Sequence, residues 1–468
     1  MSVLKDLHPR RVFEIFEEIC AIPHGSGNTD ALAQYCLDFA AERNLTAWKD
    51  EGGNVVIRKP AAPGYENAEP VIIQGHLDMV TEKSADCDID FAKDGLRLRV
   101  NGDWVSAEGT TLGGDDGIAV AMGLAILDEK DAGHPELEIL LTRDEETGMY
   151  GALELEGDKI RGRRLVNIDS ENEGVFTVSC AGGIHVQCDW DTESVPAEGT
   201  VISVTIEGLT GGHSGVEIHH GRANACALMG RVLKDLNCRI VSLTGGGKAN
   251  AIARQATAVV CVEAGWEEKI KVLEAKLQLQ YRDTDPNFRI RAEKIAADRM
   301  MSEQSNLRCI AFLSQCPNGV VAMSEEIPGL VKTSLNLGIL KATPEHFSAL
   351  CSIRSSDENE KQKLADEIVK FAHNDAVLTD GYPAWEYKKD SGLRDTMVDV
   401  YEKMYGKKPT VEAIHAGLEC GMLAGKLPGL DAVSIGPDMQ DIHTPQERLS
   451  ISSTGRVWEF LLEVLKSL

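Results

Sequence analysis

The chain has 468 residues and the composition of a folded globular protein, with 43% hydrophobic and 26% charged residues. Since a domain averages roughly 150 residues, this length predicts two or three domains. The formal net charge of -26 argues against binding to nucleic acid or to an anionic membrane, because both require a basic protein surface.

The N-terminal stretch MSVLKDLHPRRVFEIFEEIC predicts an amphipathic helix. Acidic residues interrupt its apolar pattern, as they would not in a signal peptide. The longest apolar run, Ile118–Leu127, is about half the length that spans a bilayer, so no membrane helix is expected. Twelve cysteines are scattered without a Cys-x-x-Cys pair, which is typical of thiols kept reduced. These features predict a cytoplasmic protein.

Over roughly the first 180 residues, short β-branched runs alternate with helical patterns. The strand-like runs are NVVIRKP, PVIIQ, LEILLT and RRLVNI, and the longest helical pattern is GIAVAMGLAILDEK. This alternation is typical of an α/β sheet with crossover helices. It returns near the end of the chain, with a helix over Thr396–Tyr405, a strand at DAVSIG and a final helix RVWEFLLEVLKSL.

The middle of the chain has a different pattern. From about Gly183, strand-like runs such as VISVTIEGL, ATAVVCVEA and FSALCSIRSS accompany the helical pattern GRANACALMGRVLKDL. A sheet with helices on one side is the α+β arrangement. We therefore expect an α/β domain, a mixed sheet flanked by helices, formed by residues 1–183 and 387–468, with an α+β domain of residues 184–386 inserted into it.

Histidine and acidic side chains follow the predicted core strands of the α/β domain. The strand ends are VIIQGHLD, LEILLTRDEE, RRLVNIDSE and DAVSIGPDMQDIH, and a further acidic pair lies in the glycine-rich loop TTLGGDDGIAV. Ligand sites in open α/β sheets form outside the carboxyl ends of the strands. The side chains expected to converge there are His76, Asp78, Asp115, Asp116, Asp144, Glu145, Glu146, Asp169, Glu171, Asp438, Asp441 and His443.

So many carboxylates would repel one another unless they were protonated or bound to cations. Histidines with carboxylates and no thiolate suit zinc, manganese or cobalt, and two metals ~3.5 to 4 Å apart would share a bridging carboxylate. We predict that His76 is a metal ligand. Asp78 lies on the same side of the strand by the two-residue period and would orient the His76 imidazole.

Each of these segments also fits a structural role when taken alone. Asp115 could cap a helix, and Glu145 and Glu146 could be solvated charges before a turn at Gly148. The metal site is favoured because five segments share the same strand-to-loop context. Motifs for other chemistries are missing from the sequence, which has no Gly-x-Ser-x-Gly elbow, no complete phosphate-binding loop and no His-Glu-x-x-His.

Six motifs together resemble the co-catalytic two-metal peptidase family that includes carboxypeptidases, aminoacylases, tripeptidases and carnosinases. They are GHLDMV, TTLGGDDGI, DEETGMYGA, NIDSE, GGHSG and IHTPQE, and the resemblance extends from the first helix to the last. HAGLECG, SIGP, CAGGI, GGHSGVEIH and TSLNLG resemble its aminoacyl-histidine (Xaa-His) dipeptidase branch more specifically. That branch also shares Gly117 after the paired aspartates, where the wider family has lysine, but has proline at the position of Ala253.

The resemblance implies a set of metal ligands for two divalent ions, with zinc expected first and manganese or cobalt as alternatives. Asp115 would bridge the two ions and Glu145 would be the general base, with Asp78 supporting the first histidine. The implied ligands are His76, Asp115, Glu146, Asp169 and His443.

For the inserted domain the resemblance implies a lid and dimerisation role. His213 would stabilise the oxyanion, and in many relatives this histidine comes from the partner subunit. Arg354 would hold the substrate's C-terminal carboxylate, although an ordinary salt bridge on a strand face is an alternative. Asn250 is a further substrate-binding candidate, whereas a structural role is expected for His219 and His220.

The implied activity is that of a metal-dependent dipeptidase that hydrolyses short peptides, chiefly Xaa-His dipeptides including carnosine-like substrates, as a homodimer. A broad di- or tripeptidase or an aminoacylase on the same scaffold is the main alternative. A non-catalytic binding protein is a further alternative, which the presence of all the ligands and of Glu145 disfavours. A metal-storage or structural protein is another, and it would take up metal without turnover.

Overall fold

The helices and strands of the chain form two compact units. The computed structural model describes residues 2–130 and 132–468. The first unit contains the chain up to Ser179 together with Tyr387–Ala413 and Leu418–Leu468, and the second contains Cys180–Glu386 and Ile414–Gly417. The short segment Ile414–Gly417 thus belongs by its packing to the second unit although its neighbours in sequence belong to the first.

The helices begin with the amphipathic segment expected near the N-terminus, and that expectation is confirmed. In chain order they are α1 (Arg10–Cys20), α2 (Asp30–Glu42), α3 (Gly114–Asp128), α4 (Tyr150–Glu154), α5 (Ala225–Leu236), α6 (Trp266–Gln280), α7 (Glu303–Gln315), α8 (Glu358–Phe371), α9 (Gly392–Tyr405), α10 (Glu419–Lys426) and α11 (Ile451–Ser467). Within the described ranges, none of these helices is long and apolar enough to cross a bilayer.

The strands of the whole chain are given below, and those of the first unit confirm each core strand that the sequence predicts. In chain order the strands are β1 (Thr46–Lys49), β2 (Val55–Lys59), β3 (Val71–His76), β4 (Leu98–Asn101), β5 (Trp104–Ala107), β6 (Leu137–Thr142), β7 (Arg164–Asn167), β8 (Val175–Cys180), β9 (Gly182–Asp191), β10 (Ser194–Pro196), β11 (Thr200–Glu207), β12 (Gly212–His213), β13 (Arg239–Gly246), β14 (Ala251–Ile252), β15 (Ala256–Val262), β16 (Arg289–Lys294), β17 (Arg299–Met301), β18 (Gly319–Met323), β19 (Val331–Thr343), β20 (His346–Ser355), β21 (Ala376–Tyr382), β22 (Thr410–Ile414), β23 (Asp431–Ser434), β24 (Met439–Gln440) and β25 (Arg448–Ser450).

The first unit is built on an eight-stranded mixed sheet with the order β1-β2-β6-β3-β7-β23-β8-β22. Strands β6, β3, β7 and β23 run parallel to one another. Every residue of β3 and of β6 is buried, which explains their unbroken apolar character, since parallel strands are covered on both faces. The carboxyl ends of four parallel strands therefore open at one edge of the sheet, where the sequence places its histidine and acidic residues.

Helices α1 and α3 pack together in the core of the first unit. Gly117, near the start of α3, faces α1: a Cβ atom there would lie 3.2 Å from Phe16 Cε2. That contact is tighter than ordinary packing, so the glycine permits the close approach of the two helices. A separate four-stranded sheet, β24-β25-β5-β4, also belongs to this unit and is not predicted by the apolar pattern.

The second unit contains a nine-stranded sheet with the path β16-β11-β15-β13-β19-β20-β9-β21, and β18 pairs with β19 beside it. Its two halves have the same order of elements. Strand β11 is followed by α5, β13, β15, α6 and β16, while β9 is followed, after that inserted half, by α7, β19, β20, α8 and β21. The halves meet where β13 pairs antiparallel with β19. The unit is therefore an internal repeat of one strand-helix-strand-strand-helix-strand arrangement, with a core of its own.

Candidate metal centre

The loops at the carboxyl edge of the parallel strands bring two histidines and several carboxylates together in the first unit. His76 is the last residue of β3 and lies opposite Thr142, the last residue of β6. Gly75 precedes it because the strand passes very close to α3. A Cβ atom at Gly75 would lie 2.5 Å from both the Ala119 Cβ and the Asp116 Oδ2 atoms, so a side chain there would push the acidic loop away from the strand.

Asp115 lies between the two histidines. His76 Nε2 is 3.0 Å from Asp115 Oδ1, and His443 Nε2 is 3.0 Å from Asp115 Oδ2. His443 Nε2 is also 2.8 Å from Glu146 Oε1, and His76 Nε2 is 3.7 Å from Asp169 Oδ1. The two oxygens of one carboxylate thus face two different imidazoles, each of which has a second carboxylate beside it.

Among the described residues there are three sets of side chains, and within each set the possible ligand atoms lie within 4.8 Å of one another. The first joins Asp115, Glu146 and His443, and the second joins His76 to Glu145 and Glu146. The third set joins His76, Asp116 and Asp169, and Asp116 is not among the ligands that the family resemblance implies. Asp116 is fully buried, and its Oδ2 atom accepts a hydrogen bond from the backbone N–H of His76 at 3.1 Å.

The electrostatics of these donors favour bound cations. Burial, followed by the neighbouring acids, raises the pKa of Glu145 and of Asp169 above their ordinary values. The carboxylates of Asp115 and Glu146 raise the pKa of His443 to about 10. The site would otherwise have to hold protons to limit repulsion among its acids, and divalent cations relieve the same repulsion. Its imidazole and carboxylate donors therefore have the chemistry that suits divalent ions.

Asp78 lies beside both His76 and the Glu145–Glu146 loop. His76 Nδ1 lies 2.9 Å from the backbone carbonyl oxygen of Asp78, while the Asp78 carboxylate is 3.5 Å away. That carboxylate instead accepts the backbone N–H groups of Glu145 at 2.9 Å and Glu146 at 3.3 Å, and the Ser26 hydroxyl at 2.7 Å. The main chain of Asp78 thus contacts the imidazole, and its side chain accepts hydrogen bonds from the Glu145–Glu146 loop.

Glu447 holds the loop that carries Asp115. It is 2% exposed, and its carboxylate accepts the backbone N–H groups of four consecutive residues, Leu112, Gly113, Gly114 and Asp115, at 2.7, 3.2, 2.8 and 3.4 Å. Burial raises the pKa of Glu447 to about 7. The sequence contains this residue in the motif IHTPQE, but a contact across more than 300 residues leaves no local signal.

Glu419 is a second acidic residue whose position the sequence does not predict. It is 1% exposed, and its Oε2 atom accepts hydrogen bonds from Gln74 Nε2 at 2.5 Å and Thr142 Oγ1 at 2.8 Å, beneath the ends of β3 and β6. Its Oε1 atom is buried and has no hydrogen-bond partner among the described residues. Burial raises the pKa of Glu419 to about 7, with a further contribution from Asp169.

Other strand-end acids serve the backbone instead. Asp144 Oδ1 accepts the Gly27 N–H at 2.6 Å, and Asp438 Oδ1 accepts the Glu173 N–H at 2.7 Å. Both therefore stabilise loops, as the alternative interpretation of such residues expects.

The remaining predicted residues, His213, Asn250 and Arg354, lie in the second unit. The strand pairing of β12 with β14 places His213 opposite Ala251, and the Ser214 N–H donates to the Asn250 carbonyl oxygen at 2.9 Å. Arg354 Nη1 donates to the Tyr382 hydroxyl at 2.8 Å. Its buried Nε atom has no hydrogen-bond partner in the described part of the chain, so the guanidinium retains a donor for another group.

His213 is held as a neutral ring. Its Nδ1 atom accepts the backbone N–H groups of Gly215 and Val216, both at 3.2 Å. Burial, followed by the charge of Arg354, lowers the pKa of His213. Since Nδ1 accepts, the ring proton is assigned to Nε2, and the side chain presents an N–H donor.

Comparison with known proteins identifies the family. Residues 72–467 match the model of peptidase family M20/M25/M40. The chain is 38% identical over 482 aligned positions to the cytosol non-specific dipeptidase of Escherichia coli (strain K12), covering 100% of this chain and 99% of that protein.

Solved structures give the same result. The crystal structure of aminoacylhistidine dipeptidase from Vibrio alginolyticus has a TM-score of 0.95 and 37% identity, covering 100% of this chain and 98% of that chain. Aminopeptidase PepT from Bacillus cereus, with a TM-score of 0.62 and 13% identity over 98% of this chain and 99% of that one, shares the fold. On these matches, and with the α/β and α+β arrangement predicted from the sequence confirmed, the chain belongs to peptidase family M20/M25/M40 and is a hydrolase of that family.

Proposed function

We propose that this chain is a metal-dependent dipeptidase. The observation that carries the proposal is the position of Asp115, whose two carboxylate oxygens each lie 3.0 Å from a different histidine, His76 and His443. With Asp169 and Glu146 beside them, these residues would hold two divalent ions, zinc first and manganese or cobalt as alternatives. The relative that is 38% identical is itself called a dipeptidase.

The chain's own acids supply the proton transfers. Bound divalent ions would polarise the scissile carbonyl and make the attacking water more acidic. Glu145 takes a proton from that water and delivers it to the leaving amine. Hydrogen bonds from the Glu145 and Glu146 N–H groups to Asp78 fix the loop on which the proton acceptor sits. Glu145 is therefore the general base, and Asp78 positions it.

Glu419 favours a substrate with a free α-amine over an N-acyl amino acid. Its Oε1 atom is buried without a partner among the described residues, and its Oε2 atom accepts a hydrogen bond from Thr142, three residues before the general base Glu145. An unpaired buried carboxylate oxygen is costly, and an ammonium group would satisfy it. A dipeptide offers such a group, whereas an aminoacylase substrate does not.

In the second unit, Arg354 and His213 supply the remaining substrate contacts of the proposal. The free Nε donor of Arg354 suits the C-terminal carboxylate of a peptide, because a guanidinium binds carboxylates through paired hydrogen bonds. The neutral His213 ring offers an Nε2–H donor, which suits the oxyanion of the tetrahedral intermediate. Asn250, whose main chain contacts the His213 loop, is the third substrate-binding candidate.

The preferred C-terminal residue is a finer part of the proposal. The similar structure from Vibrio alginolyticus carries the name aminoacylhistidine dipeptidase, whereas the similar Escherichia coli protein is called non-specific. We retain a preference for Xaa-His dipeptides as the first expectation, and broad dipeptide hydrolysis as the alternative that the second name supports.

A homodimer and a cytoplasmic location complete the proposal. Edge strand β21 exposes Val377 by 63% and Leu378 by 37%, and exposed apolar edge strands favour association. The word cytosol in the relative's name and the twelve free cysteines support a reducing compartment. Light scattering at several protein concentrations tests the dimer, and a constant mass of about one chain would rule it out.

The experiment that tests the function uses purified protein stripped with a chelator and restored separately with zinc, manganese or cobalt. Its substrates are Ala-His, β-Ala-His, Ala-Ala, Ala-Ala-Ala and N-acetyl-alanine. Metal-dependent release of amino acids from the dipeptides is the expected result. A ratio of kcat/KM for Ala-His over Ala-Ala above about ten would support the histidine preference, and a ratio near one would support the non-specific alternative. Cleavage of N-acetyl-alanine alone would replace the dipeptidase by an aminoacylase.

A further inference from the structure

Two thiols of the second unit lie in contact. The Sγ atom of Cys316, directly after α7, is 3.7 Å from the Sγ atom of Cys351 in β20. A disulfide has an S–S distance of about 2.05 Å. From 3.7 Å, the two sulfurs must approach by roughly 1.7 Å (3.7 minus 2.05) to form the bond.

The two thiols differ in exposure. Cys351 is fully buried in the core of the second unit, whereas Cys316 is half-buried and lines a cavity of about 430 Å³ together with Leu313, Asn318 and Val320. Contact with the Cys316 thiol, followed by burial, raises the pKa of Cys351 well above its ordinary value. A small reagent therefore reaches Cys316 first, and Cys351 stays protonated beside it.

We propose that Cys316 and Cys351 form an oxidisable pair that a peroxide converts into an intramolecular disulfide. In the first step the Cys316 thiolate attacks hydrogen peroxide, which gives a sulfenic acid and hydroxide. In the second step the Cys351 sulfur attacks the sulfenic acid sulfur, the S–S bond forms, and the Cys351 proton leaves with the hydroxyl group as water. The two thiols lose two electrons in total, and the peroxide is reduced. The product ties the C-terminal end of α7 to the strand that carries Arg354.

The chain contains a matched control in Cys87. This thiol is also half-buried, but its Sγ atom lies 3.7 Å from the Glu108 carbonyl oxygen and not beside a second thiol. Since Cys87 has no thiol to resolve a sulfenic acid, oxidation there proceeds toward sulfinic acid. The two accessible cysteines should therefore give different products with the same reagent.

The test treats the full metal-loaded protein with hydrogen peroxide, blocks free thiols with N-ethylmaleimide and analyses a non-reduced tryptic digest by mass spectrometry. The expected product is a cross-linked peptide pair two hydrogens lighter than its parts, with fragment ions that assign the bond to Cys316 and not to Cys309. A thiol reductant should reverse it. Cys316→Ser should abolish the cross-link, while Cys87→Ser should leave its yield unchanged.

Two outcomes would overturn the proposal. One is conversion of Cys316 to sulfinic acid without a cross-link, and the other is an undiminished Cys351 cross-link in Cys316→Ser. Cys351→Ser provides a further test, because the Cys316 sulfenic acid should then persist and be trapped by dimedone in higher yield than in the wild type. If Cys351→Ser does not fold, the Cys316→Ser and Cys87→Ser pair still decides the question.

Discussion

Glu447→Gln tests whether the backbone of the Asp115 loop must be held by a charge for the centre to bind metal. In the wild type, Oε2 accepts the N–H groups of Leu112 and Gly113, and Oε1 accepts those of Gly114 and Asp115. A glutamine keeps one acceptor oxygen and turns an NH₂ group toward the other two donors. One short bond, of 2.7 or 2.8 Å, and one longer bond are then lost inside a buried site.

The cost follows from these contacts. A buried N–H group left without an acceptor costs about 1 to 3 kcal/mol, and relaxation of the loop recovers part of it. We expect about 1.5 to 3 kcal/mol to appear in metal binding, since the substitution displaces Asp115. At 1.4 kcal/mol per tenfold, zinc affinity should fall about 10- to 100-fold, which is the usual effect of losing a group that positions metal ligands.

Competition with a chromophoric chelator at pH 8 measures this affinity, at a pH above the raised pKa of about 7 for Glu447. Glu459→Gln is the matched control, because Glu459 is exposed on α11 and the charge change is the same. Circular dichroism verifies that both variants are folded. Zinc affinity of folded Glu447→Gln within threefold of the wild type, or an equal loss in Glu459→Gln, would refute the reasoning.

Three further substitutions test separate parts of the molecule. Glu145→Gln should retain its metal but lower kcat by about 10²- to 10⁴-fold, and near-normal turnover would remove its proton-transfer role. Glu419→Gln should raise KM for dipeptides about tenfold or more with metal content unchanged, whereas an unchanged KM would exclude ammonium binding. Asp128→Asn removes ion pairs to Arg11 and Arg43, and although burial opposes it, these arginines lower the pKa of Asp128. That stabilisation exists above the unfolded pKa and is lost as pH falls through the lower folded pKa. Calorimetry should therefore show a Tm loss of about 2 °C at pH 7 and a smaller loss at acidic pH below the unfolded pKa. An equal loss at both pH values would contradict the ion-pair explanation.

Much of the first unit could be predicted from the sequence because its signals are local. Buried parallel strands read as continuous apolar runs, and β3, β6, β7 and β23 appear where those runs end in polar residues. Since parallel strands share one carboxyl edge, the rule that ligand sites form there predicts that the histidine and acidic side chains after these strands converge. The choice of His76, Asp115, Glu146, Asp169 and His443 among them as ligands comes from the family resemblance. The distances among their side chains agree with that convergence.

The repeat within the second unit could not be predicted in the same way. Its halves share the order of their strands and helices, but one half is inserted after β9 of the other. The matching elements are therefore not consecutive in the chain, and no fixed spacing appears in the sequence. Residues 414–417 pack with this unit through tertiary contacts. The composition of the sequence does not change there, so this packing could not be predicted either.

The contacts of the acidic residues in the site are the part of the structure that could least be predicted from the sequence. Asp78, Asp115, Glu419 and Glu447 are all carboxylates near glycine or a strand end, and residue type alone makes each an equal candidate for a metal ligand. These acids differ in the hydrogen-bond donors and imidazole rings that the folded chain places beside each carboxylate oxygen. Asp115 faces two imidazoles, whereas Asp78 and Glu447 already accept several backbone N–H groups. A carboxylate whose lone pairs accept backbone N–H groups is a poor metal ligand, but it holds the loop firmly, because charged hydrogen bonds to buried N–H groups are costly to break.

Glu419 differs from Asp78 and Glu447, since one of its oxygens accepts hydrogen bonds from side chains and the other has no partner in the described chain. The unpartnered oxygen of Glu419 is therefore the one that an ammonium group of the substrate would stabilise most. Substitution of Glu419 should accordingly change KM, whereas substitution of Asp78 or Glu447 should change metal binding and the position of the general base.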